Sequence, residues 1–284
     1  MDIKDVRIGI VGNGVLGQAM VRGMVEHVKE VRIYDRVKER STHTMDEVYD
    51  CDYMFLCLPT PSDDKGRCDT TALESVFKWI TETKHGRDHF PFMAIRSTVE
   101  FGFTTRMANV LTSASFPAKL VHWPEFLTAR CATTDFHTPS RHIIGLPLST
   151  MNTRAAGLAP TALLSQRFPG VPILDMSAAE SEITKLSMNS FFATKVTFFN
   201  AIELLCHQLG LKYEHVRAGM LTDGRVAHSH TQVPGPDGKH GFGGTCLPKD
   251  LLNLAGTMND AGVEPGTLLE CVHKVNSRLR GDGN

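Results

Sequence analysis

Through about residue 175, short apolar runs alternate with stretches whose apolar positions recur at helical spacing. The runs are Val6 to Val11, Val31 to Tyr34, Tyr53 to Leu58, Phe92 to Ile95, Ala118 to His122, His142 to Gly145 and Val171 to Leu174. Strands separated by helices in this way predict an α/β fold built on a parallel sheet. The texture changes at Ser177, where Ser177-Ala178-Ala179-Glu180 reads as a capping box. From there no Gly or Pro interrupts the chain until Gly210, which predicts one helix of about 45 Å. Its apolar residues Phe191, Phe192, Val196, Phe198, Phe199, Ile202 and Leu205 occupy more than one face. Such a helix is expected to be buried from several sides, between domains or against a second copy of the chain. Lys249 to Ala261 and Pro265 to Leu279 read as two closing helices. The pattern divides the chain into residues 1–176, sheet-based, and 177–284, all-helical around the long helix.

The first strand runs straight into Gly12-Asn13-Gly14-Val15-Leu16-Gly17, and a helical pattern through Leu16, Met20 and Met24 follows. A G-x-G-x-x-G motif between a strand and a helix is the dinucleotide fingerprint of a Rossmann-type domain. Its glycines permit the tight turn and close pyrophosphate approach, and the helix start supplies N–H groups for the anion. The second strand ends in Asp35, where an acid binds the adenine ribose hydroxyls and repels a 2′-phosphate. NAD is therefore expected over NADP, with Arg36 alongside keeping NADP open. Pro59-Thr60-Pro61 and Arg96-Ser97-Thr98 close two later strands at the sheet edge where ligands lie. Pro59, Thr60, Ser97 and Thr98 are thus cofactor candidates, and the loop Ser62 to Thr71 is expected to fold over the cofactor. Strand, helix and acid together favour a nicotinamide enzyme over a bare glycine turn.

Composition narrows the class. A chain of 284 residues, 42% hydrophobic, can bury a large core and form two domains. A net charge of −1 calls for neither nucleic acid nor an anionic membrane as partner. The seven cysteines (51, 57, 68, 131, 206, 246, 271) are scattered and form no C-x-x-C, a pattern of reducing compartments rather than disulfide frameworks. No apolar run reaches bilayer length and no signal peptide precedes the first strand. A cytoplasmic protein is expected.

Chemistry concentrates in Gly241-Phe242-Gly243-Gly244-Thr245-Cys246-Leu247-Pro248-Lys249-Asp250. A thiol at a helix start beside Lys249 has surroundings that favour the nucleophilic thiolate. Lys185 and Asn189, at i and i+4, project from one face of the long helix and suit a developing oxyanion, although spacing alone favours a solvated lysine and a surface asparagine. Glu125, in Trp123-Pro124-Glu125-Phe126-Leu127, is flanked by bulky apolar groups. Partial burial would raise its pKa and fit it for proton transfer; a rim carboxylate fits equally well. Thr98 either binds a water or caps a turn, and Arg225 either reaches a phosphate or sugar or stays exposed. His228 and His230 form an H-x-H without a third ligand, so no metal site is expected. Cys57 and Cys206 read as ordinary buried cysteines.

Taken in order, these segments resemble the UDP-glucose/GDP-mannose dehydrogenase family. The matches are the N-terminal glycine motif, Leu58-Pro59-Thr60-Pro61, Arg96-Ser97-Thr98-Val99, Pro124-Glu125-Phe126-Leu127, Pro139-Ser140-Arg141-His142-Ile143-Ile144-Gly145, Lys185 with Asn189, and the glycine-cysteine segment. The resemblance spans about residues 6 to 250 and implies oxidation of the C6 alcohol of a nucleotide sugar to a carboxylate with two NAD, UDP-glucose foremost. It implies that Cys246 adds to the intermediate aldehyde, giving a thiohemiacetal and then a thioester that water cleaves. Lys185 and Asn189 would stabilise oxyanions, Glu125 and Asp250 would handle protons and water, and Thr98 would help place the water. Glu125, Phe126, Leu127, Lys185, Asn189, Arg225, Phe242, Gly243 and Gly244 would line the substrate, and the long helix would form a homodimer.

The chain also departs from the family. Trp123 stands where an asparagine is usual, and Ala129-Arg130 where Glu-Gly is common. The loop His230 to His240 is longer than usual before the glycine run. Members usually continue into a second nucleotide-binding domain, whereas this sequence ends at Asn284 after the central helices, the expectation being a short form. A β-hydroxyacid dehydrogenase of the 6-phosphogluconate or 3-hydroxyisobutyrate type would share the sheet, long helix, lysine and asparagine without needing Cys246. A subunit that binds NAD or a sugar nucleotide without turnover is the alternative outside enzymes.

Overall fold

A computed structural model of the chain describes residues 1–63, 66–84, 88–117, 119–147, 153–264 and 266–281. Contacts divide the chain into two units, Met1–Thr60 with Asp69–Lys185, and Pro61–Cys68 with Leu186–Asn284.

The first unit is a sheet of β1 (Arg7–Val11), β2 (Glu30–Tyr34), β3 (Tyr53–Leu56), β4 (Phe92–Ile95), β5 (Leu120–His122), β6 (His142–Leu146) and β7 (Ile173–Ser177). Their order is β2-β1-β3-β4-β5-β6-β7, so the strand order reverses at β1, beside the glycine turn. Helices α1 (Val15–Met24), α2 (Met45–Tyr49), α3 (Thr71–Thr83), α4 (Phe103–Ser113), α5 (Ala132–His137) and α6 (Thr153–Arg167) connect the strands. Two apolar cores result, because strand side chains alternate and both faces are buried. Ile10, Phe55, Ala94 and Val121 belong to one core with Met20 and Phe136. Val11, Leu56, Ile95 and Leu120 belong to the other with Phe77 and Phe103.

The sheet departs from the sequence reading in detail. Leu120 opens β5, and Ala118 lies outside the described residues. One pairing is antiparallel: His122 of β5 opposes Gly145 of β6. The connection between them carries a short 3-10 turn, Ala129–Cys131, and the six-residue α5, Ala132–His137. β7 sits later than the apolar run Val171 to Leu174. It pairs with β6 from Ile173 to Ser177, and as an edge strand with exposed Leu174 and Asp175 it carries little apolar signal.

Helix α7 runs Ala178–Gln208. The capping box forms as read: Ser177 Oγ accepts from the Glu180 N–H at 3.2 Å, and Glu180 Oε2 accepts from the Ser177 N–H at 2.7 Å. Gly210, at φ 67°, takes the left-handed position that ends the helix. Two buried contacts fix its first turns in the first unit. His122 Nδ1 lies 2.9 Å from Ser181 Oγ. Glu182 accepts from the Gly102 and Thr104 N–H groups at 2.6 and 2.8 Å, capping the start of α4.

The second unit holds the rest of α7 with α8 (Tyr213–Leu221), α9 (Cys246–Asp260) and α10 (Gly266–Arg280). The sequence reading did not distinguish α8, and Pro265, its expected start for the last helix, lies outside the described residues. Phe199 and Cys206 are buried against Tyr213 and Val233. The expectation of burial on several faces is not met in the single chain: Phe191 is 62% and Phe198 51% exposed, and Leu205 is exposed too. Among the described residues no helix is long and apolar enough to cross a membrane.

Candidate active site

The glycine motif shapes a turn that only small residues allow. Gly12 has φ +96°, and a Cβ at Gly17 would lie 2.1 Å from the Gly12 carbonyl oxygen. A Cβ at Gly14 would instead meet open space, and Gly14 caps α1 without any side-chain hydrogen bond to the first N–H groups. Those donors are left for an anion. Asp35 is tied into the same turn, accepting from the Asn13 N–H at 2.7 Å and the Val37 N–H at 2.8 Å. A carboxylate has about four lone-pair positions, so capacity remains for ribose hydroxyls. The Asn13 side-chain carbonyl oxygen is buried and finds no donor among the described residues. These groups fit a bound dinucleotide. Val15 and Arg36 are exposed beside them, and Leu16 is half-buried.

The strand ends expected to face the cofactor are brought together. Thr60 Oγ1 donates to the Thr98 carbonyl at 2.7 Å, and Ser97 Oγ donates to the Leu58 carbonyl at 2.6 Å. Pro59 is exposed and Thr98 half-buried. The hydroxyls of Thr60 and Ser97 thus hold the two loops in place and keep only acceptor capacity for a ligand.

Past β5, Glu125 meets Lys185 of α7. Lys185 Nζ donates to Glu125 Oε1 at 2.9 Å, and the Leu127 N–H donates to Glu125 Oε2 at 2.6 Å. Lys185 is only 3% exposed, so it is not the solvated lysine that spacing favoured; its ammonium also lies 5.5 Å from the centre of the Phe126 ring. The expectation that burial raises the Glu125 pKa is corrected. Desolvation does push it up, but Lys185, the Leu127 N–H and Arg96 together outweigh it and hold the carboxyl below its ordinary value of 4.5. Glu125 is a carboxylate at neutral pH and suits a base.

The second unit carries the other half of the expected chemistry. Asn189 Nδ2 donates to Asp250 Oδ2 at 2.5 Å, and Lys249 Nζ pairs with Asp250 Oδ1 at 2.7 Å. Lys249 also donates to Cys68 Sγ at 3.4 Å. Its charge therefore meets Asp250 and Cys68. Burial disfavours that charge, but Asp250 and Cys68 hold the Lys249 pKa above its usual value. Cys246 is the exposed first residue of the 15-residue α9, where the helix end carries partial positive charge.

The glycine run before it is pinned from both sides. Asn200 Oδ1 accepts from the Gly241 N–H at 2.8 Å, and Asn276 bonds both the N–H and the carbonyl of buried Phe242. A Cβ at Gly243 would collide with Arg280, while one at Gly244, at φ +78°, would meet nothing. Sequence reasoning missed Asn200, Asn276 and Arg280, which carry no motif. Arg225 is exposed and forked onto its neighbour Asp223. His230 stacks on Phe192 with ring centres 4.2 Å apart, and no metal-binding cluster occurs among the described residues.

Comparison with known proteins gives the family. The model of the UDP-glucose/GDP-mannose dehydrogenase family, NAD binding domain, matches residues 1–158, and that of the central domain matches residues 179–278. The chain belongs to this family. Its cofactor is NAD. It is 28% identical over 253 residues to the UDP-glucose 6-dehydrogenase of Rickettsia typhi, covering 89% of this chain and 55% of that protein. The chain thus spans about half the length of the curated relatives it matches. The structure of a UDP-glucose dehydrogenase from Pyrobaculum islandicum superposes with a TM-score of 0.82 at 24% identity, over 97% of this chain and 69% of that one. The 3-hydroxyisobutyrate dehydrogenase of Mycobacterium tuberculosis gives a TM-score of 0.72 at 17% identity, over 99% and 96%. At these identities both structural likenesses are likenesses of fold.

The depressed Glu125 pKa sets a sign for stability. A carboxyl depressed on folding contributes stability above its unfolded value, near 4.5, which is lost as pH falls through the lower folded value. Urea denaturation of Glu125→Gln between pH 3 and 7 should therefore show a flatter acid limb than the parent chain. An unchanged acid limb would mean that the pair does not hold the carboxylate.

Proposed function

We propose that this chain oxidises the C6 alcohol of a nucleotide sugar, UDP-glucose foremost, to the uronic acid, with Cys246 as covalent nucleophile. The observation that carries the reading is Cys246 itself, an exposed thiol opening a helix behind a glycine run pinned by Asn200 and Asn276. NAD, when bound, supplies the hydride acceptor for each oxidation. A free aldehyde has no hydride to release until its carbon becomes tetrahedral. Addition of the Cys246 thiolate to the carbonyl carbon forms the C–S bond and an alkoxide, the thiohemiacetal. Loss of its hydride leaves a thioester, and water attacks that carbonyl, expelling the thiol and giving the acid.

The remaining residues divide the charge and proton work. Lys185 and Asn189 stabilise the oxygen as it becomes anionic. Glu125, kept as carboxylate by its partners, takes protons from the alcohol and the attacking water, with Thr98 placing that water. Asp250, held by Lys249 and Asn189, orients the amide of Asn189 and assists proton transfer. Phe126, Leu127, Phe242, Gly243 and Gly244 line the sugar, and exposed Arg225 reaches it. The free cysteines suit a cytoplasmic setting.

A β-hydroxyacid dehydrogenase on the same fold would have no use for the thiol. Cys246→Ala should therefore abolish uronic acid formation from UDP-glucose while NAD binding is retained, read by product mass and by NAD titration. Full acid production by the variant would refute the covalent role.

The exposed row Phe191, Phe198 and Leu205 on α7 is, in this reading, the face of a homodimer. Light scattering should give a dimer for the chain and a monomer for Phe198→Asp. A monomeric parent chain would remove the dimer from the proposal.

A further inference from the structure

Arg96 is the first residue past β4 and Trp123 the first past β5. Ile95 faces His122 in the register of that parallel pair, so Arg96 and Trp123 stand side by side in the next row. Side chains alternate along a strand, and residues of one row project to the same face. Trp123 belongs to the core with Phe55 and Val121, and Arg96 lies over it, with exposures of 2% and 3%. The Arg96 guanidinium carbon is 3.7 Å from the centre of the Trp123 ring.

Trp123 is held through its own backbone from both directions. Its N–H donates to the Ile95 carbonyl at 2.8 Å, and its carbonyl accepts from Arg96 Nη1 at 2.7 Å. Arg96 is fixed in turn, its N–H donating to the Leu56 carbonyl at 2.9 Å. Burying a cation is costly unless it is paired, yet this guanidinium is directed at a backbone carbonyl rather than a carboxylate. Burial brings its pKa down to about 10, so it stays charged at neutral pH.

The carbonyl it holds belongs to the Trp123–Pro124 peptide bond. A peptide unit is planar and proline fixes its own φ, so fixing that oxygen leaves the chain little freedom before Glu125. Glu125 has to meet two donors at once, Lys185 Nζ at 2.9 Å and the Leu127 N–H at 2.6 Å. A small swing of the turn would break both contacts.

We propose that Arg96 is a positioning residue for the oxidation: by holding the Trp123 carbonyl it sets where the Glu125 carboxylate stands. The inference rests on the reading of Glu125 as the base. Arg96 acts on the charge of that carboxylate as well, holding its pKa down together with Lys185 and the Leu127 N–H. Asp135, Arg141 and His142 are the other titratable groups that line the space beside it. Burial first and Arg96 second bring the His142 pKa down to about 4, and burial pushes the Cys57 thiol up to about 12, so both are neutral at neutral pH. Removing Arg96 therefore raises the Glu125 pKa. A base that must be ionised then loses activity at the acid end first.

Arg96→Met keeps an apolar filler over the Trp123 ring and removes both donor and charge. With UDP-glucose and NAD, kcat should fall about tenfold to a hundredfold and KM for the sugar should change less. The acid limb of kcat against pH should move to higher pH. Arg96→Lys returns the charge and one donor, and should bring the limb back and recover part of kcat. The Glu125 carboxyl, followed by NMR of the full chain with isotope-labelled glutamate and assigned with Glu125→Gln, should titrate higher in Arg96→Met than in the parent. That titration needs no turnover: a parent chain inactive on UDP-glucose would remove the reading of function, and the titration would still decide this inference. The inference is overturned if the folded methionine variant titrates at the parental pH, or keeps the parental kcat on the alkaline side of the limb. Arg96→Gln replaces it, by the same two readouts, if the methionine variant does not fold.

Discussion

The pairing of Glu125 with Lys185 is the interaction on which the first unit's part of the candidate site rests. Both groups are largely withdrawn from water, with 17% and 4% of their side chains exposed. Removing two charges from water costs several kcal/mol per ion before their attraction is counted. The contact at 2.9 Å offsets that cost only because the Leu127 N–H takes the other carboxylate oxygen. Deleting either partner would strand a buried charge, at a cost of about 3–5 kcal/mol. The requirement reaches back into the fold. His122 and Glu182 hold the first turns of α7, and without that anchorage Lys185 could not keep its distance from the turn after β5.

The second unit meets a related requirement with different groups. Asp250, 1% exposed, takes Asn189 on one oxygen and Lys249 on the other. Cys246 stands exposed at the start of the same helix. The fold is shared with a hydroxyacid dehydrogenase of similar extent, so the fold alone does not choose a reaction. The proposed reaction is chosen by the thiol and the pinned glycine run instead.

Much of the fold was legible because its signals are local. Strand runs, the capping box at Ser177 and the stop at Gly210 each depend on a few adjacent residues, and apart from the shifted bounds of β5 and β7 they appear where the sequence placed them. The antiparallel β5–β6 pair was not legible, because an apolar run marks a strand without giving its direction. The candidate site shows the same division. Glycine, lysine and cysteine motifs named the residues, but the sign of the Glu125 shift depended on which of four opposing influences won. Arg96 stood inside a recognised motif and drew no attention, since only coordinates reveal that it is buried without a carboxylate. Asn200, Asn276 and Arg280 lie far apart in sequence from the glycines they hold.

The account stands or falls on whether one active chain carries a sugar through both oxidations without letting the aldehyde go. The direct test is the ratio of NADH formed to UDP-glucose consumed, measured on the purified chain with the aldehyde trapped if it escapes. The account predicts two NADH per sugar and no trapped aldehyde. One NADH per sugar with aldehyde recovered, or no NADH at all from a chain that binds both ligands, would contradict it.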